Sequence, residues 1–369
     1  MARIALILRP DRGGAFAHVA ALATDLAERG HDVAVFGPLD PARPELAAAR
    51  VVPVPMIRPV DPRADVRTLA ALARALRKFK PNLIHAHGSK GGVLARLARA
   101  AQPRVPLVFT PHLYAFDNYF TSAGQRRLYR AIERALAPLA TRVIAVCEAE
   151  RRNAASVGPA SRVRVVHNGV DPVRTDEVHP VVAELREAHG FVACAVAELR
   201  DSKRIDTLLR AFAQARREDR TIGLAIAGDG AEHASLEALA RSLELGDAVR
   251  FLGATPGPDA VLAGADAFVN AAYAEAFPYT VIEAMSGGVP VIATDVGGTA
   301  EAIGRRGEAG VLIPPRDAGA LTGALLELAR DPERRAELGA RARAEYERRF
   351  TRERMLAGIR AVYAEIGVS

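Results

Sequence analysis

Residues 275–294 read Glu275-Ala-Phe-Pro-Tyr-Thr-Val-Ile-Glu283-Ala-Met-Ser-Gly-Gly-Val-Pro-Val-Ile-Ala-Thr294. The apolar run Ala267 to Asn270 precedes this stretch as a strand. A helix starting near Val281 follows, and then a second strand from Val289 to Ala293. Glu275 falls in the loop and Glu283 in the first turn of that helix, so two carboxylates flank a loop-to-helix junction. A carboxylate accepts hydrogen bonds in pairs and suits the vicinal hydroxyls of a sugar, while a helix start offers free backbone N–H groups to phosphate. A ligand carrying both groups, such as a nucleotide sugar, answers the pattern.

The strand and helix alternation extends outward to both ends. Toward the N-terminus lie Val192 to Val196, Ile222 to Ala227 and Val249 to Leu252, and toward the C-terminus Val311 to Ile313. An earlier series holds Ile4 to Leu8, a helical pattern from about Phe16 to Arg29 stopped by Gly30, Val33 to Phe36, Leu83 to Ala86, Leu107 to Thr110 and Arg142 to Val146 before the helical Glu148 to Ala155. Short strands alternating with helices imply α/β domains with doubly wound parallel sheets. Between the series, Asn168-Gly169-Val170-Asp171-Pro172 and the polar segment to Pro180 mark a linker. Three parts are therefore expected: 1–175, 176–350 and a last helix over 351–369 returning toward the first. In such sheets ligands sit at the carboxyl ends of strands, so two facing sheets leave an interdomain cleft as the expected site. From about Pro332 the chain reads as Arg/Glu/Ala-rich helix with Met355, Ile359, Val362 and Ile366 on one face.

With 369 residues, half of them hydrophobic, the chain exceeds what one core usually serves. Cys147 and Cys194 lack a paired spacing, which fits a reducing compartment and excludes a cysteine zinc site or disulfide framework. No apolar run is long enough for a signal peptide or a membrane span, so a cytoplasmic protein is expected, with the inner face of the cell membrane as a second location. The net charge of +7 is uneven: residues 1–175 hold 27 Lys and Arg against 13 Asp and Glu, and the remainder 23 against 30. A basic half fits an anionic membrane or a lipid diphosphate, although Arg-rich genome composition gives the same bias. The segment from Gln125 to Leu139 sets Arg126, Arg127, Arg130 and Arg134 against Leu128, Ile132, Leu136 and Leu139, as either a surface helix or one lying on anionic lipid. Without aromatic interleaving or a recognisable module, nucleic acid is not an expected partner.

Each site residue also has an ordinary reading. Thr280-Val-Ile-Glu283 fits a capping box, in which Glu283 would return to the cap's N–H. His85-x-His87 has no evident third ligand, so no metal is expected there. Gly228-Asp229-Gly230 lacks the third glycine of a dinucleotide fingerprint and reads as a tight turn. The chain has no Asp-x-Asp pair for chelating a cation, and no cofactor is implied.

Glu-x7-Glu followed by Ala-Met-x-x-Gly-x-Pro-Val-Ile-Ala-Thr-Asp-Val-Gly-Gly resembles family 4 of the retaining GT-B glycosyltransferases, the glycosyl transferases group 1, of polysaccharide-building type. Gly13-Gly14, His85 to Lys90, Thr110-Pro111-His112 and Asn168 to Asp171 extend the resemblance over nearly the whole chain. It implies a metal-independent enzyme moving a sugar from a nucleoside-diphosphate sugar of UDP or GDP type to a sugar or lipid-linked acceptor. By the same resemblance Glu283 holds ribose, Glu275 the transferred sugar and Lys203 the diphosphate, aided by Gly14, Phe277, Pro278, Tyr279 and Thr280. His112 lies beside the reactive carbon. Pro278 removes one backbone donor from this loop. Glu198 stands where the family has an Arg, which leaves Arg200 or Arg204 as substitutes in the diphosphate clamp. The rival readings are a sugar-nucleotide epimerase and a non-catalytic nucleotide-sugar-binding protein.

Overall fold

A computed structural model describes residues 1–57, 59–117, 122–174 and 176–368. The chain divides into two compact units, Met1–Asn168 with Glu353–Ser369, and Gly169–Arg352. The expected boundary residue Thr175 lies outside the described residues.

Unit 1 is built on seven strands: β1 Arg3–Leu8, β2 Asp32–Gly37, β3 Arg50–Pro53, β4 Leu83–His87, β5 Leu107–Thr110, β6 Arg142–Ala145 and β7 Val163–Val165. All pair in parallel, in the order β3-β2-β1-β4-β5-β6-β7. Because side chains alternate along a strand, the sheet feeds two cores. Ile4, Leu6 and Leu8 pack with Phe16, Val19, Leu22 and Leu26 of the helix Gly14–Glu28. Ala5 and Ile7 face the opposite layer with Leu72, Leu76 and Leu94 from the helices Pro62–Phe79 and Ser89–Arg99.

Unit 2 has six strands: β8 Phe191–Val196, β9 Ile222–Ala227, β10 Val249–Gly253, β11 Ala267–Asn270, β12 Val291–Thr294 and β13 Val311–Ile313. These are also parallel, in the order β10-β9-β8-β11-β12-β13. In each sheet the strand order reverses once, between β1 and β4 and between β8 and β11. Ligands of doubly wound sheets sit at the carboxyl ends of the strands at such a reversal.

The helical stretch read from about Pro332 is two helices, Pro332–Arg349 and Arg352–Ala364, the second lying within the 351–369 given to the last helix. The break is tied down inside unit 2: Val170 N–H donates to Phe350 O at 3.0 Å, Arg352 N–H donates to Val170 O at 2.8 Å, and Val170 forms a bridge with Thr351. Beyond it the last helix places Met355, Leu356, Ile359, Val362 and Tyr363 in the same core layer as the helix Gly14–Glu28. Ile359 is fully buried there. Ile359→Ala is expected to destabilise unit 1 by about 2–4 kcal/mol through lost burial and a cavity. The readout is a lowered calorimetric midpoint, with the exposed Ala357→Ser as a control that leaves it unchanged.

Candidate functional site

At the reversal of unit 2 three loops meet. Lys203 closes a short turn Asp201–Lys203 after β8, and its ammonium forms an ion pair with the Glu275 carboxylate in the loop after β11. Both side chains are largely buried, at 18% and 13% exposure, so neither charge can lose its partner cheaply. Tyr273 N–H donates to Ser202 O at 3.0 Å and ties the same two loops through the backbone. The third loop is Gly297-Gly298 after β12. Gly298 N–H donates to Ala276 O at 2.8 Å, and a Cβ on Gly297 would lie 1.8 Å from Glu275 O. With φ at +55°, Gly297 is a position where only glycine both fits and relaxes.

The helix after Glu275 spans Tyr279–Ser286, with Pro278 as N-cap and no side-chain cap bond. It therefore starts two residues earlier than the Thr280 signal suggested, and the capping box is absent. Thr280 sits inside the first turn, and Glu283 has passed beyond it. Pro278 is preferred here because a cap residue with extended backbone gives up no helical N–H. Phe277 is buried against Phe350, with ring centroids 5.2 Å apart. Freed from capping, the half-buried Glu283 side chain has no hydrogen bond or ion pair among the described residues. Burial, with Asp259 nearby, pushes its carboxyl up to about 7.

The remaining cations of this edge are engaged. Arg204 pairs with Asp201 and Asp206, each at 2.6 Å, and lies over the Tyr273 ring at 4.5 Å. Arg200 is exposed and 3.6 Å from the Glu198 carboxylate. Gly228 and Gly230 serve close backbone approach, since a Cβ on either would come within 1.8 Å of Ala197 O or 2.3 Å of Leu199 O.

At the reversal of unit 1 the corresponding position is filled by imidazoles. Gly13, at φ +81°, turns β1 into the helix Gly14–Glu28, with Gly14 as its first residue, and one turn on His18 faces inward. His85 and His87 end β4, and His112 follows β5. His85 bonds Tyr363 Oη at 2.7 Å and Thr110 Oγ1 at 2.8 Å, while His87 Nδ1 lies 3.2 Å from His112 Nε2. The His18 ring meets His112 edge-on at 4.8 Å between centroids. Burial lowers all four: His18 to about 4, and His85, His87 and His112 well below the usual value. They are neutral at pH 7, each with one donor and one acceptor nitrogen.

The His85-x-His87 pair gains no third ligand, but His18, His87 and His112 form a different trio whose donor nitrogens lie within 4.8 Å of one another. That set is looser than the roughly 3.3 Å spacing that nitrogens at about 2.0–2.1 Å from a tetrahedral zinc adopt. As it stands it is a hydrogen-bonded cluster able to present neutral imidazole to a hydroxyl. His18 and Tyr363 were not singled out in the sequence. A histidine on the buried side of an otherwise apolar helix was the available signal for the first.

The helix Ala123–Leu136 turns Leu136 and Ile132 toward its own unit, which leaves Leu128 and the arginines 126, 127, 130 and 134 exposed. Among the described residues no helix is long and apolar enough to cross a membrane.

Comparison with known proteins bears on both units. The family model for Glycosyltransferase Family 4 matches residues 12–174, and that for Glycosyl transferases group 1 matches residues 183–345. The D-inositol 3-phosphate glycosyltransferase of Gordonia bronchialis is 32% identical, over 90% of this chain and 80% of its own. Among solved structures, sucrose-phosphate synthase from Thermosynechococcus elongatus superposes with a TM-score of 0.86 at 23% identity, over 99% of each chain. Anabaena Alr3699/HepE in complex with UDP-glucose gives 0.81 at 22%, over 99% of this chain and 100% of its own.

Glu283 yields a prediction with a definite sign. Its carboxyl is raised from 4.5 to about 7 in the folded chain, so its contribution to stability is fully present below pH 4.5 and lost as pH rises through 7. Glu283→Gln, neutral throughout, is expected to exceed the parent in stability by about 1–2 kcal/mol at pH 8, the shift being discounted for partial exposure. The gain should vanish toward pH 4.5, as thermal midpoints at the two pH values will show.

Proposed function

The chain belongs to the group 1 and family 4 glycosyltransferases of GT-B fold, and from that premise we propose that it transfers a sugar, with retention, from a nucleoside-diphosphate sugar of UDP or GDP type to an acceptor hydroxyl. The observation that carries this reading is the joining of Lys203 and Glu275 at the strand-order reversal of unit 2, next to the helix bearing the unpartnered Glu283.

Glu283 accepts hydrogen bonds from the ribose hydroxyls, which supply the donors its half-buried carboxylate lacks. Lys203 has three N–H donors, of which Glu275 takes one, leaving others for the diphosphate. The start of the helix Tyr279–Ser286 adds backbone N–H groups and its dipole. Glu275 holds a hydroxyl of the transferred sugar through its remaining lone pairs. In unit 1, neutral His112 is assigned to a sugar hydroxyl near the reactive carbon, and Gly14 to the glycine turn for the donor. The acceptor hydroxyl attacks the anomeric carbon on the face that the diphosphate leaves. The new C–O bond forms as the C–O bond to phosphate breaks, and the departing phosphate oxygen takes the proton. No metal enters this scheme.

For the acceptor we take a lipid-linked saccharide of cell-surface polysaccharide synthesis, met at an anionic membrane face. The support is the excess of cations in residues 1–175 and the exposed arginines of the helix Ala123–Leu136. Cosedimentation with vesicles containing phosphatidylglycerol, absent with phosphatidylcholine alone and lost at high salt, is the expected result. Recovery with anionic vesicles no higher than without vesicles would point to a soluble acceptor.

A metal-free thermal-shift panel of UDP, GDP, ADP, CDP and TDP tests the donor site. One nucleotide, UDP or GDP, should raise the midpoint by mass action. Glu283→Ala should abolish that shift and raise the donor KM at least tenfold, about 1.4 kcal/mol. A shift that survives in Glu283→Ala removes the ribose role, and no shift with any nucleotide removes the donor reading itself.

A further inference from the structure

The segment that carries His112 is strained. His112 and Leu113 both lie at positive φ, +50° and +91°, a region that disfavours side chains with a Cβ, and Leu113 is the more extreme of the two. Two successive residues in that region persist only where the surroundings hold them.

The holder is Glu150, the third residue of the helix Glu148–Val157, whose N-cap is Cys147. Its side chain is buried. One carboxylate oxygen accepts the Leu113 N–H at 2.7 Å, and the other accepts the Val146 N–H at 2.8 Å. Val146 directly follows β6, so one carboxylate spans the loop after β5 and the end of the neighbouring strand. Among the described residues the other hydrogen bonds on the two positions are at the His112 ring, bonded to His87 at 3.2 Å, and at Leu113 O, which Ser89 Oγ reaches at 3.5 Å. Burial, with Asp117 nearby, raises the Glu150 carboxyl to about 7, while the two N–H bonds pull it back toward the charged form. The Val146 bond reaches back past the N-cap Cys147, whose Sγ accepts the Glu150 N–H, as a capping box would, whereas the Leu113 bond crosses to another loop and serves something other than capping.

We propose that Glu150 is a positioning residue, whose carboxylate clamps the Leu113 and Val146 amides and thereby fixes the left-handed turn that presents the His112 imidazole at the strand-order reversal of unit 1. The inference rests on the reading of His112 as the group beside the transferred sugar. A carboxylate is suited to this because both oxygens accept. The amide of Gln accepts on one side only and sets an N–H donor against the other N–H.

The test compares wild type, Glu150→Gln, His112→Ala and the double variant. Acceptor-free release of UDP from UDP-glucose and from UDP-N-acetylglucosamine gives kcat and KM. The UDP thermal shift monitors unit 2. Imidazole NMR on histidine-labelled protein, with the His112 signals assigned by their loss in His112→Ala, reports ring geometry without needing turnover.

Glu150→Gln is expected to lower kcat about tenfold with KM and the UDP shift within about twofold of wild type. It should cost nothing further in the His112→Ala background, because two changes acting through one group do not add. It should also move the His112 resonances and leave those of His233 and His179 in unit 2 in place. An unmoved His112 signal, or an equal loss of kcat in the His112→Ala background, overturns the clamp. His112→Ala with wild-type kcat would instead remove His112 from the reaction, and Glu150 with it, even where the resonances shift, so the two failures are told apart. Where Glu150→Gln does not fold, Glu150→Asp takes its place. It keeps both oxygens but is a methylene too short to span both amides, and the same outcomes decide.

Discussion

A parallel sheet covered on both faces can be built only with crossovers, and this constraint sends the loop after each strand to one edge. Where the strand order reverses, successive crossovers must leave on opposite faces. In unit 1 the helix Gly14–Glu28 after β1 joins the core layer of Ile4 and Leu6, whereas Ser89–Arg99 after β4 joins that of Ala5 and Ile7. In unit 2 the helix Ile205–Glu218 after β8 lies in the layer of Ala193 and Leu224, to which no residue of Tyr279–Ser286 contributes. The diverging helices leave a crevice outside the carboxyl ends of the strands. Every candidate residue except Glu283, which lies one turn further along its helix, sits there as a direct result.

The two edges have opposite electrostatic characters, although burial acts on both in the same direction. Burial disfavours whichever form is charged, so it lowers the histidines of unit 1 and raises Glu150 and Glu283. In unit 1 the outcome is a neutral hydrogen-bonding floor, with rings and hydroxyls linked from Tyr363 through His85 to Thr110, and His87 bonded to His112. Such a floor suits hydroxyls, whose bonds strengthen in low dielectric. In unit 2 the charge is concentrated in Lys203 and Glu275, which neutralise each other until another anion or donor arrives.

The long central strands were legible because burial on both faces turns them into apolar runs, such as Ile4 to Leu8 and Ile222 to Ala227. The edge strands Arg50–Pro53 and Val163–Val165 were not, since the first offers only Val51 and Val52 between Arg50 and Pro53, Arg164 interrupts the second, and burial is only partial. The helix start at Tyr279 was hidden because Pro278 caps through backbone geometry alone, which left Thr280 as the only visible signal. His18 and Glu150 lay hidden for a topological reason. His18 gains meaning only once β1 and β4 are known to be neighbours, and Glu150 in a first turn reads as an ordinary acid favoured by the helix dipole. Its role appears only when β5 and β6 are paired, which brings Leu113 and Val146 to its two oxygens.

The departure at Glu198 takes on a different sense once the whole turn is considered. From Glu198 to Asp206 the chain carries Glu198, Asp201 and Asp206 against Arg200, Lys203 and Arg204, and so has no net charge. Arg204 is fixed by two acids and by the Tyr273 ring, and Arg200 has Glu198 beside it. An arginine at position 198 would have made this edge cationic, drawing any phosphate without regard to what it carries. With glutamate there, attraction by net charge is gone. A diphosphate ligand must then be held by directed bonds from Lys203 and from backbone N–H groups at the helix start, which constrain its position. Under the proposed binding the Lys203–Glu275 pair stays intact, and its spare N–H donors toward phosphate and spare lone pairs toward sugar would couple the two ends of one donor. A ligand lacking the sugar would meet Lys203 alone and leave the spare lone pairs of the largely buried Glu275 unused. On the proposed reading, selectivity between a nucleotide and a nucleotide sugar would then rest on the pairing of one lysine with one glutamate.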